Sequence, residues 1–161
     1  MTSGSDWRRE LGRGFVIGVS NPAMRDRLLR SARSSLRGAQ TLLGDSPSEA
    51  TVLAENAARM AVVALAAHDG VRIDAPNKHA AAVVYARARP EAFDAATTNG
   101  LEFLRRTRNE AMYGDARSEW PAPLEVSATD ATAAVELAQR VMSRVATLTA
   151  RAIPPPPAAP R

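Results

Sequence analysis

Apolar residues recur at intervals of three and four along most of the chain, and that period predicts helices. The first clear helix opens at Ser20-Asn21-Pro22, where a capping side chain precedes a proline at the first helical position. Its apolar stripe is Met24, Leu28, Leu29, Ala32, Leu36, Ala39, Leu42 and Leu43, and Gly44 stops it. A second helix starts at Ser46-Pro47-Ser48-Glu49, which reads as a capping box with proline at N1, and Gly70 ends it. Leu53, Ala57, Met60, Ala61, Ala64 and Leu65 form an alanine-rich stripe suited to close helix approach. After a loop over 71–76, a third helix is expected from Asn77 to Arg89, closed by Pro90.

A fourth helical stretch runs from Glu91 past Phe93 to Asn99-Gly100, a pair that predicts a break or bend. A new helix follows from Leu101 to Tyr113, with Leu101, Leu104, Ala111 and Met112 facing the core, a Glu102–Arg106 pair in support, and Gly114 as the stop. The last helix starts at Ser127-Ala128-Thr129-Asp130 and carries Ala134, Leu137, Val141, Val145 and Leu148. No repeat appears, and no β-alternation is long enough for a sheet. The pattern therefore predicts one all-α bundle of four to five helices over 21–152. An irregular N-terminal arm occupies 1–20, whose run Phe15 to Val19 adds an extended edge or packs on the bundle. A proline-rich tail, disordered or polyproline II, occupies 153–161.

Composition narrows the chemistry. A chain of 161 residues can bury a core as one domain, and with no cysteine it has neither disulfides nor thiol catalysis. Two histidines, His68 and His79, in no ligand pattern, predict no metal and no cofactor. No apolar run is expected to reach the length of a membrane span, and nothing reads as a signal peptide, so the expected location is the cytoplasm. The net charge of +4 is uneven: residues 1–43 hold eight arginines against Asp6, Glu10 and Asp26, a net of +5 that leaves −1 for the rest. Such a basic third follows a phosphate backbone or an acidic partner, or simply solvates a helix face.

There is no P-loop, no G-x-G-x-x-G, no H-E-x-x-H and no G-x-S-x-G. Asp69 and Asp74 read as turn formers, and His68 as a histidine favoured by the dipole at a helix C-terminus. The exception is Leu104-Arg105-Arg106-Thr107-Arg108-Asn109-Glu110-Ala111-Met112-Tyr113-Gly114, where three arginines, an asparagine and a tyrosine crowd the last turns of a short helix. The dipole alone favours arginine there; a structural helix has no need of the whole set.

Here the chain resembles HEPN (higher eukaryotes and prokaryotes nucleotide-binding) proteins. These are helical bundles, usually dimeric, whose signature is an arginine, often followed by a polar residue, four to six positions before a histidine near the end of a late helix. Arg108-Asn109 matches, with Tyr113 in the histidine slot, close to an R-x-x-A-x-Y arrangement that a branch of the family carries. The resemblance covers roughly residues 22–150, including a Lys78-His79 helix start. It implies a homodimer in which both motifs share one groove and RNA is cleaved without metal. Arg108 would bind the phosphate, Asn109 would orient it, and Arg105, Arg106, Lys78 and His79 would contact substrate. Tyrosine is a poor base at neutral pH, so the departure at Tyr113 puts cleavage in doubt while leaving RNA, nucleotide or protein binding intact. The implied partners are RNA or nucleotide and a nucleotidyltransferase-type antitoxin. The competing readings are a metal-independent ribonuclease toxin or defence component, a non-catalytic HEPN dimer, and a plain helical interaction scaffold.

Overall fold

A computed structural model of the chain describes residues 7–114, 117, 119 and 122–150, so the proline-rich tail lies outside the described residues. Five helices make up the body: α1 (Pro22–Leu42), α2 (Pro47–His68), α3 (Lys78–Arg87), α4 (Ala95–Tyr113) and α5 (Ala128–Thr149). Two short strands, β1 (Phe15–Ile17) and β2 (Val71–Ile73), pair antiparallel with Val16 opposite Arg72.

The centre of the bundle is α2, which touches each of the other four helices. It is apolar nearly all round, as a helix enclosed on every side must be. Ala50, Ala54, Ala57, Ala58, Ala61, Ala64 and Ala66 have no exposed surface. By length and composition α2 is apolar enough to cross a membrane, against the expectation that no stretch would be; two-thirds of its apolar window is buried inside the bundle. Small residues set the spacing on both sides. A Cβ on Gly38 of α1 would stand 3.0 Å from Leu53, and one on Gly100 of α4 would stand 3.0 Å from Leu137 of α5. That second contact corrects the expected break at Asn99-Gly100: α4 is one continuous helix, and the missing side chain admits α5 rather than bending the backbone.

The helix ends follow local chemistry in most places. Asn21 accepts a bond from the Met24 N–H at 3.0 Å, Asp94 from Thr97 at 2.8 Å, and Ser127 from Asp130 at 3.0 Å. Ser46 is the exception: its side chain makes no capping bond and Glu49 is exposed, so the expected capping box does not form. The start of α2 is instead tied down by Ser48, whose hydroxyl accepts the Val126 N–H at 3.0 Å. Gly114 ends α4 at φ 74°, and a Cβ there would stand 2.1 Å from the Ala122 carbonyl, so the stop requires glycine on both grounds.

The N-terminal arm is more regular than its sequence suggests, with a 3-10 turn at Trp7–Glu10 ahead of β1. A buried polar cluster docks it. Asp69, which is 8% exposed, accepts a 2.5 Å hydrogen bond from the Tyr85 hydroxyl and pairs with Arg89. The Arg89 guanidinium lies 4.5 Å from the centre of the Trp7 ring, which meets Tyr85 edge-on at 5.8 Å. Burial, and secondarily Glu91, push the Tyr85 phenol well above its usual value, so it remains a donor to Asp69. Asp69 stands in the turn after α2, as expected, and is a core anchor as well, while Asp74 is exposed and pairs with Arg72 at 3.5 Å.

His68 is also buried, and Arg25 Nη1 faces its Nδ1 at 3.4 Å. Burial first, then Arg25 and Arg89, hold its pKa below the usual 6.5. That direction favours the neutral ring at the end of α2. Because the unfolded chain takes up this proton more readily than the folded one, stability falls as pH drops through 6.5 towards the lowered folded value, and this contribution is flat above it. His68→Gln is expected to flatten that acid limb, read as the difference in melting temperature between about pH 5 and about pH 7.5. An unchanged difference would show that His68 does not contribute.

Candidate functional site at the end of α4

Leu101, Leu104 and Ala111 are buried and hold α4 against the bundle; Met112, expected in the core, is 38% exposed. The residues between them turn towards solvent or lie half-buried. Phe103, Arg106, Glu110 and Tyr113, spaced at three, four and three, form an exposed stripe of α4 that carries two aromatic rings.

The three arginines have different surroundings. Arg105 donates to Glu102 from Nε at 3.1 Å and from Nη2 at 2.8 Å, and Arg106 Nε donates to the same carboxylate at 3.2 Å. The bond from Arg105, more than that from Arg106, holds the Glu102 carboxyl below its usual range. Arg108 alone of the three has no carboxylate partner among the described residues. Its Nη1 donates to Asn109 Oδ1 at 3.0 Å, and its guanidinium carbon stands 5.9 Å from the centre of the Tyr113 ring. Its Nε is buried with no hydrogen-bond partner among the described residues. The structure thus brings Arg108, Asn109 and Tyr113 together, with a guanidinium positioned by neutral groups and no counter-charge among the described residues. Such a fork suits an oxyanion such as phosphate. Tyr113 is 63% exposed at the rim.

Lys78 and His79 open α3, where Asn77 Oδ1 caps the helix by accepting the Ala80 N–H at 3.1 Å. Lys78 is exposed and has no ion pair among the described residues. His79 turns inward instead. Its Nδ1 lies 2.8 Å from Oε1 of Glu55 on α2, a carboxylate only 4% exposed. Glu55 Oε2 and Arg59 Nε are both buried without hydrogen-bond partners among the described residues. With Leu101 and Leu104 of α4 these groups line a recess of about 10 Å³, room for about one water.

Glu55 was not legible as a site residue because its partner, His79, comes from another helix, while Arg59 Nη2 donates to Asn56 Oδ1 at 3.2 Å within α2 itself. The signal that points to them is the run Glu55-Asn56…Arg59 in the middle of a helix rich in alanine and aliphatic residues. A buried charge needs a partner, so polar positions on an enclosed helix mark a place where another element must supply one. No group of three or more metal-ligating side chains occurs among the described residues.

A family model, HEPN domain, matches residues 26–148, which takes in α2, α3, α4 and nearly all of α1 and α5. The chain belongs to the HEPN family. No curated protein and no solved structure gives a match. Membership places this protein in a family whose function is nucleotide- or RNA-related. In the structure of this HEPN protein the Arg108-Asn109 pair stands in the last turns of α4.

Proposed function

We propose that this HEPN protein is a cytoplasmic homodimer that binds RNA through Arg108 and cleaves it without metal, as a toxin or defence component. The observation that carries the reading is the state of Arg108: a half-buried guanidinium with no carboxylate partner among the described residues, held by Asn109 over the Tyr113 ring. A charge so placed gains most from an anionic ligand. The exposed stripe with Phe103 and Tyr113 supports a second copy against α4, since exposed aromatic surface marks an interface and two-fold dimers are the commonest assembly.

One observation favours a second reading, a non-catalytic dimer that binds nucleotide or a nucleotidyltransferase-type antitoxin: the histidine slot holds Tyr113. The test is incubation of the purified full chain with a mixed-sequence RNA in EDTA, with light scattering on the same sample. Cleavage in EDTA by a species of dimer mass is the expected result. RNA that is bound but uncut moves the conclusion to the second reading, and a monomer at micromolar concentration removes the shared groove.

A further inference from the structure

Cleavage of RNA by the chain's own functional groups needs a base for the attacking 2′-hydroxyl, and the α4 motif holds no histidine. We propose that His79, oriented by Glu55, is that base: the 2.8 Å contact between His79 Nδ1 and the buried Glu55 carboxylate, beside the arginine-bearing face of α4, forms an acid–base dyad. This inference rests on the RNA-cleaving reading of the same site and supplies the residue that does the chemistry.

The geometry has three parts. First, Glu55 is an acceptor when ionised, so the bond at Nδ1 places the ring proton there and leaves Nε2 with the lone pair. Nε2 makes no hydrogen bond to any described residue and is not among the buried unpartnered atoms. It is therefore the open end of a ring that is 27% exposed, on a side chain whose other end is fixed in the core.

Second, the carboxylate is buried in a way that a simple tether does not require. Glu55 Oε2 has no partner among the described residues although α2 is otherwise lined with alanine. A buried carboxylate with spare acceptor capacity stabilises an imidazolium formed beside it.

Third, the dyad lies next to the phosphate-binding candidate. His79 shares its recess with Leu101 and Leu104, and Arg105, the next residue of α4, is close enough to Glu55 to feel its charge. Arg108 lies three residues on, about 4.5 Å along the axis and about 60° round it. Leu101, Leu104 and Arg108, spaced at three and four, share one face of α4, so the Arg108 fork follows the recess-lining residues along the helix.

In the proposed step the 2′-hydroxyl proton passes to His79 Nε2 while the 2′-oxygen bonds to phosphorus. The bond from phosphorus to the 5′-oxygen breaks, that oxygen takes a proton from water, and the hydroxide so left takes the proton from His79 Nε2, which restores the neutral ring. The products are a 2′,3′-cyclic phosphate and a 5′-hydroxyl end, with no redox change and no metal. His79 is the catalytic residue and Glu55 a positioning residue.

The experiment uses the full chain, a fluorescent RNA oligonucleotide and EDTA throughout, comparing wild type with His79→Ala, His79→Gln and Glu55→Gln. Loss of a general base costs about 10²–10⁴-fold. Both His79 variants should lose kcat by that factor with a much smaller change in RNA Kd, and added imidazole should restore cleavage to His79→Ala. Glu55→Gln should lower kcat less and displace the acid limb of the pH–rate profile, a readout that loss of a mere tether would not move. Cleavage that survives in folded His79→Gln, or a His79→Ala defect that imidazole does not rescue, overturns the proposal. So does a wild-type chain that binds RNA without cutting it; in that case Arg108→Ala still reports on RNA binding by itself.

Discussion

Replacing Asp69 by alanine is expected to destabilise the fold more than any change at the candidate site. The carboxylate is the shared partner of a fully buried phenol and of an arginine whose side chain is 12% exposed. Its removal leaves Tyr85 without its acceptor and Arg89 without a buried counter-charge. Breaking one side of a buried pair costs about 3–5 kcal/mol, a large part of the roughly 5–15 kcal/mol that holds a domain folded. At about 2–4 °C per kcal/mol for this size, the melting temperature should fall by about 6–20 °C. The loss should extend to the N-terminal arm, because Trp7 is held by the Arg89 guanidinium and the edge of Tyr85. Fluorescence of the two tryptophans, Trp7 and Trp120, therefore offers a second reporter. The double variant Asp69→Ala/Arg89→Ala should lose less than the sum of the two single changes, since the stranded charge is gone. A melting temperature within about 2 °C of wild type for Asp69→Ala, well under the 3 kcal/mol end of that range, would show that the cluster contributes no net stability.

The same cluster shows where sequence reasoning stops. Asp69 is followed by glycine, and its two partners lie 16 and 20 residues further on, Tyr85 in α3 and Arg89 just past its end, so nothing local separates it from a turn residue. Of the two strands, the extended edge within Phe15 to Val19 was one of the readings offered, but its partner at Val71–Ile73 was read as loop for the same kind of reason. Phe15–Ile17 and Val71–Ile73 are three residues each and pair only because α1 and α2, folded back on one another, return the chain to its start. What was legible was local. Asn21-Pro22 and Ser127 act within one turn of themselves, and Gly70 and Gly114 take the positive φ that ends a helix cheaply. The start of α4 was placed too early, at Glu91, because the cap is Asp94 and residues 90–93 form a turn. Gly100 shows the limit of that logic, for the same residue type mid-helix serves a neighbour's side chain instead. The site divides likewise. Arg108, Asn109 and Tyr113 are adjacent in sequence and meet on one helix end, whereas Glu55 meets His79 across 24 residues and two helices. The HEPN match over 26–148 bears out the resemblance to the family.

Replacing Arg108 by alanine should separate binding from folding. Alanine is the best helix former, and the side chain contributes only a bond to Asn109 and a ring contact to Tyr113, so α4 should persist and the melting temperature should change little. RNA binding should not persist. A hydrogen bond to a charged group is worth about 1.5–3 kcal/mol, and 1.4 kcal/mol is tenfold, so Kd should rise about 10–100-fold for each site lost. Binding should also become less sensitive to salt, since a phosphate contact releases counterions. In a bacterial host the same change should abolish any growth arrest caused by the wild type. Tyr113→Phe separates the remaining roles, because it keeps the ring beneath the guanidinium and removes only the hydroxyl: a fall in cleavage at constant Kd assigns that fall to the phenol. Tyr113→His restores the family's usual residue, and a rise in cleavage there marks the natural chain as a slowed member of the family. Unchanged RNA affinity and unchanged growth in a folded, dimeric Arg108→Ala would falsify the RNA-directed groove and leave the bundle as an interaction scaffold.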